Sequence, residues 1–142
     1  MHDHTPYDYA IIRVVPRVDR GEFVNVGVIV SCQGSDFLDA RIALDEQRLK
    51  ALDPTLDIET IRAHLATIPA ICKGGVEAGA LGRLSPRERF DWLVAPRSTI
   101  IQTSPVHTGR CKNPAAAMEH LLDTMVRPLR PDPSGPDPSR PM

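Results

Sequence analysis

No stretch of this sequence approaches 18 consecutive apolar residues, which excludes a membrane-spanning helix. The first residues, Met1-His2-Asp3-His4, carry neither a basic start nor an apolar core, so no secretory signal is expected. Aromatic side chains make up only 4%, too few for the stacking platform that single-stranded nucleic acid needs. Cysteine is scarce as well. Cys32, Cys72 and Cys111 form no C-x-x-C pair and are odd in number, which argues against a zinc site of ordinary spacing and against a disulfide framework. Without an export signal the expected compartment is the cytoplasm, where thiols stay reduced. The formal charge is −1, with 17 basic against 18 acidic residues. The field of the whole chain therefore gives no drive toward nucleic acid or an anionic membrane. Walker, Rossmann, HExxH and GxSxG patterns are absent, and no cofactor or metal is expected.

What the chain does have is an ordinary globular composition: 42% hydrophobic and 25% charged over 142 residues. That length can bury a core without help from a metal or a disulfide. Proline is the excess, and six of the 15 residues from Pro128 to Met142 are Pro, with no apolar period. The expected organisation is one domain over residues 7–129 and a disordered Pro-rich tail over 130–142.

Two β-branched, aromatic-rich runs, Tyr7–Val18 and Phe23–Gln33, flank the turn signal Asp19-Arg20-Gly21-Glu22 and predict an antiparallel hairpin. Strict alternation puts Ala10, Ile12, Val14, Val24, Val26, Val28 and Val30 on one apolar face. It puts Tyr9, Ile11, Arg13, Arg17, Asn25, Gly27 and Ile29 on a mixed face. A turn centred on Gly21 sets Arg17 opposite Asn25. Phe37–Leu44 predicts a third strand. Asp45 and Asp57 are helix caps, the second opening a stripe of Ile58, Ile61, Leu65, Ile68 and Cys72 that Pro69 should kink or shorten. Ser85-Pro86-Arg87-Glu88 is a capping box. Ser98–Thr103 reads as a strand, with His107 and Cys111 in the loop beyond it. Asn113-Pro114 opens a last helix with Met118, Leu121, Leu122, Met125 and Leu129 on one stripe. The fold class is α+β: an antiparallel sheet of about three to five strands with helices packed on one face.

Chemistry concentrates in two places. Between Arg97 and Gly109 five hydroxyls stand with an Arg, a Gln and a His, and residues 73–112 carry seven basic against three acidic side chains. Hydroxyls and an Arg at a strand end suit a phosphate or carboxylate, which makes Arg97, Ser98, Gln102 and Thr103 ligand-binding candidates. His107 is the candidate proton carrier near neutral pH. The alternative for this block is a solvated edge strand. The second place is the hairpin's mixed face, where Arg13 and Arg17 stand four residues apart, roughly 13 Å at strand rise, with Asn25 beside them. The alternative there is two Arg lying over apolar neighbours and pairing with carboxylates. His107 and Cys111 form an H-x-x-x-C pair whose flanking Arg110 and Lys112 favour a thiolate, with no third group to orient them.

The runs Tyr9-Ala10-Ile11-Ile12-Arg13-Val14-Val15-Pro16-Arg17 and Gly21-Glu22-Phe23-Val24-Asn25-Val26-Gly27-Val28-Ile29 resemble the start of a bacterial family called domain of unknown function 3037. The block from Trp92 to Gly109 is similar to that family's second signature, and the likeness spans residues 7–127. The resemblance implies no activity, because none is established for the family. It does imply a partner, since members are encoded beside HipA-like kinase-fold proteins. The leading reading is therefore a small accessory or protein-interaction module with an anion-binding polar face. The alternative is a small enzyme acting on a phosphate-containing or other anionic substrate through Arg13, Arg17, Arg97, Gln102 and His107.

Overall fold

The computed structural model describes residues 4–129. Strands β1 (Thr5–Val14) and β2 (Val24–Cys32) pair antiparallel as the sequence predicts, and β3 (Phe37–Ile42) adds to the far edge of β2. The other edge of β1 is shared by two short strands. β4 (Ile101–Thr103) takes its C-terminal part and β5 (His107–Cys111) its N-terminal part. With helices α1 (Glu46–Leu52), α2 (Ile58–Lys73), α3 (Pro86–Leu93) and α4 (Pro114–Leu121), this five-stranded antiparallel sheet makes an α+β fold. The Pro-rich segment 130–142 and residues 1–3 lie outside the described residues.

Local chemistry starts each helix where the sequence marks it. The Asp45 carboxylate accepts from the amides of Gln47 and Arg48, Asp57 from Thr60, and Asn113 from Ala115 and Ala116. Ser85 and Glu88 complete the reciprocal capping box. Caps of this kind stabilise by about 1 kcal/mol each. α2 continues through Pro69 and stops at Gly74, whose φ of 72° suits glycine. Pro69 removes only one backbone donor, which the stripe of buried Ile58, Ile61, Leu65 and Ile68 outweighs.

Strict alternation fails in β2. The pairing passes from Ile12↔Gly27 to Arg13↔Asn25, so Val26 is an extra residue in a β-bulge. Beyond the bulge every side chain changes face. Val24, Val26 and Ile29 join Ile12 and Val14 against α2 and α3, whereas Val28 and Val30 join Ile11 on the other side. Gly27 is required by the close approach of β3, where a Cβ would come within 2.6 Å of the Arg41 carbonyl oxygen.

The helices therefore cover both faces, correcting the expectation of one. Met118, Leu121 and Leu122 pack on Ile11, Val28 and Val30. After Leu121 the chain makes one π-helical turn over Leu122–Val126, closed by the Arg127 amide on the Leu122 carbonyl at 2.8 Å. The wider turn advances the stripe by one residue. Val126 is buried, and Met125, expected in the core, is 46% exposed. Leu129 is exposed as well.

The hairpin register also differs. β1 ends at Val14, so Arg13 rather than Arg17 stands opposite Asn25, and Arg17 lies in the connection.

Candidate functional site

A concave feature bearing residues of the Arg97–Gly109 block lies beside β4, between that strand, α2 and α3. It is an open groove of about 620 Å³ out to solvent. Its floor is apolar, built from Ile68 and Ile71 of α2, Leu93 of α3 and Ile101 of β4. Trp92, 45% exposed, stands at its side. Polar groups at the rim are His64 and Thr67 on α2, and Arg97, Thr99, Gln102 and Thr103 on or before β4.

Arg97 is held in place by the end of α3. Its Nη1 donates to the carbonyls of Leu93 at 2.8 Å and Ala95 at 3.4 Å, and its Nη2 donates to that of Trp92 at 2.7 Å. The Trp92 and Leu93 carbonyls lie in the last turn of α3, at the negative end of its dipole, and Ala95 follows the helix. The guanidinium also lies over the Trp92 ring, 4.5 Å from its centroid. One side chain thus closes α3 and fixes the indole. Gln102 donates to the Thr99 carbonyl at 2.8 Å and Thr103 to that of Val94 at 3.5 Å. Ser98 and Thr99 precede the strand, which is shorter than Ser98–Thr103, and Ser98 is exposed outside it.

The remaining predicted residues stand elsewhere. Arg13, Asn25 and Gln102 share one rung of the sheet. The Arg13 guanidinium lies 4.1 Å over Phe23, and Asn25 donates to the Met125 carbonyl at 2.9 Å. That rung stitches the sheet to the π turn. Arg17 pairs with Asp53 at 3.5 Å. His107 lies in β5 opposite Tyr9, its ring 5.5 Å from the tyrosine ring. Arg13, Arg17, Arg97 and His107 each have a different neighbour and do not converge on one anion. His107 and Cys111 stand at opposite ends of β5, not in a loop, and burial raises the pKa of the Cys111 thiol, opposing the thiolate that Arg110 and Lys112 suggest.

A second polar cluster has no motif in the sequence. Asp8 accepts from Arg87 of α3 at 2.7 Å and from Thr108 of β5 at 2.7 Å. Arg87 also pairs with Asp91 at 3.1 Å. Its buried neighbour Arg89 donates to the carbonyls of Leu84 and Cys72, capping the end of α2. Three basic side chains of the positive segment, Arg87, Arg89 and Arg97, are thus tied to protein groups. Among the described residues no three His, Cys, Asp or Glu gather as a metal site would need.

Fold and groove together define a small single-sheet α+β domain with an open, apolar-floored groove along an edge strand. The chain belongs to the family described as protein of unknown function (DUF3037), whose model matches residues 9–126. Comparison with curated proteins and with solved structures gives no match.

Proposed function

We propose that this chain is an interaction module and that the groove beside β4 is its contact surface. The observation that carries this reading is Trp92, a large apolar ring left 45% exposed and held rigid by Arg97 over an apolar floor. Trp and Arg in a preformed pocket are the side chains that dominate protein contacts. Arg97, Gln102 and Thr103 supply the polar rim. The partner implied by the family resemblance is a HipA-like kinase-fold protein, to which the chain would be an accessory subunit.

The test is co-expression with such a partner and measurement of the affinity of the pair. Trp92→Ser is expected to weaken the complex at least tenfold, about 1.4 kcal/mol, while the melting transition stays cooperative. Val76→Ser, at a residue 97% exposed outside the groove, serves as control and should bind as wild type. A folded Trp92→Ser protein that binds with unchanged affinity would remove the groove from the contact.

A further inference from the structure

We propose that the outer edge of β4 receives the C-terminal segment of a partner chain as an added strand, with the terminal carboxylate on Arg97 and an apolar side chain on the groove floor. This rests on the groove being the contact surface and names what enters it.

The hydrogen-bond parity of β4 is the first argument. The Val15 amide donates to the Ile100 carbonyl at 2.6 Å and the Ser104 amide to the Ile11 carbonyl at 2.8 Å. Between those bonds lie the rungs Val14↔Ile101, Arg13↔Gln102 and Ile12↔Thr103. In an antiparallel pair, bonds at these positions turn the amide and carbonyl of Gln102 toward β1. Ile101 and Thr103 then direct theirs to the opposite side, where β4 ends the strand order β3-β2-β1-β4. Ile101, Gln102 and Thr103 line the groove consecutively, so the groove runs along that outer edge. The Thr99 hydroxyl donates to the Ile101 carbonyl at 2.8 Å, which leaves that carbonyl one lone pair for an incoming amide. Strand addition to such an edge takes its affinity from main-chain bonds and its selectivity from pockets for alternate side chains.

Charge is the second argument. Among the residues lining the groove Arg97 is the one permanent charge and there is no carboxylate. Of the five guanidinium N–H groups, three go to the carbonyls of Leu93, Ala95 and Trp92. The Nε proton and one Nη2 proton remain to meet a carboxylate with charge-assisted bonds. An acidic group is the complement of this rim.

Length distinguishes a chain end from a passing segment. β4 has three residues and is followed by Ser104 and Pro105, and Pro105 has no amide to extend the ladder. An incoming strand finds two outward-facing residues, which suits a terminus better than a continuous chain.

The experiment is affinity selection with the full chain from two hexapeptide pools. Both are random except for Val, Leu, Ile or Phe at the last position; one ends in a free carboxylate and the other in an amide. The free-acid pool should be enriched. A selected peptide should lose at least tenfold in affinity when amidated, and the amide resonances of Ile101 and Thr103 should shift on binding. Thr103→Pro removes an outward amide and leaves the β1 ladder intact, and it should weaken binding at least tenfold. Arg97→Lys, which keeps the charge and loses the guanidinium, should also weaken it. Failure to enrich either pool, equal affinity for acid and amide, or wild-type binding by folded Thr103→Pro would overturn the proposal. The acid–amide comparison uses unaltered protein, so it decides even if a variant fails to fold. Should Trp92→Ser lose the co-expressed partner while these peptide results fail, the interaction reading stands and strand addition falls.

Discussion

At the scale of single residues, the basic side chains of this domain serve the backbone before they serve a ligand. Arg89 closes α2, Arg97 closes α3, and Arg87 ties α3 to the sheet through Asp8. The last contact has a pH signature. The Arg87 hydrogen bond is the main cause that holds the Asp8 carboxyl below its ordinary value of 3.8. The Thr108 hydroxyl adds to it and partial burial opposes it. A folded-state pKa below the unfolded one contributes stability in full above the unfolded value, and loses it as pH falls through the folded value. Asp8→Asn is therefore expected to cost about 1 kcal/mol at pH 7, solvent at the Arg87 side chain limiting the effect. The gap from wild type should stay level down to about pH 5 and shrink below about pH 4. Urea melts of both proteins between pH 7 and pH 2.5 measure it, and a gap that did not close in acid would remove Asp8 from the account.

At the scale of elements, two one-residue irregularities decide which side chains meet. The bulge at Val26 sends Val28 and Val30 to the second sheet face, and the π turn brings Val126 onto them instead of Met125. Val126→Ala should cost about 2 kcal/mol, the loss of two buried methylene equivalents. Met125→Ala should stay within about 0.5 kcal/mol, as surface changes do. Equilibrium denaturation of the pair checks the phase of the turn, and a reversed order of costs would restore the regular stripe. Capping residues, by contrast, were readable one by one, because a cap acts within four residues of itself. The bulge was not readable, since an extra valine in a valine-rich run leaves no local mark.

At the scale of the whole molecule, two of the three thiols report on how the layers open. Cys72 is sealed between α2 and the sheet, and burial, aided by Asp39 and opposed by Arg89, pushes its pKa up to about 12. Cys111 is 9% exposed on the edge strand β5. Thiolate is the species that alkylates, and buried thiols react only through opening. Under native conditions at pH 8, iodoacetamide should label Cys111 through local release of β5, and Cys72 only at the rate of global unfolding. Peptide mass spectrometry of a labelling time course resolves the two. Labelling of Cys72 as fast as Cys111 would show that α2 lifts from the sheet on its own.

The sequence by itself determined the α+β class, the hairpin, the caps of all four α-helices, and the presence of Arg97, Gln102 and Thr103 on or just before a strand. These follow from side-chain period and from groups acting on near neighbours. Only the tertiary structure decided which candidates share a site. Arg13 and Arg17 were placed together by alternation, yet the end of β1 at Val14 separates them, giving one to Phe23 and the other to Asp53. Trp92 and the floor of Ile68 and Ile71 belong to separate helices. They become one groove because α2 and α3 pack side by side on the sheet, a contact between residues more than 20 positions apart that no local pattern records.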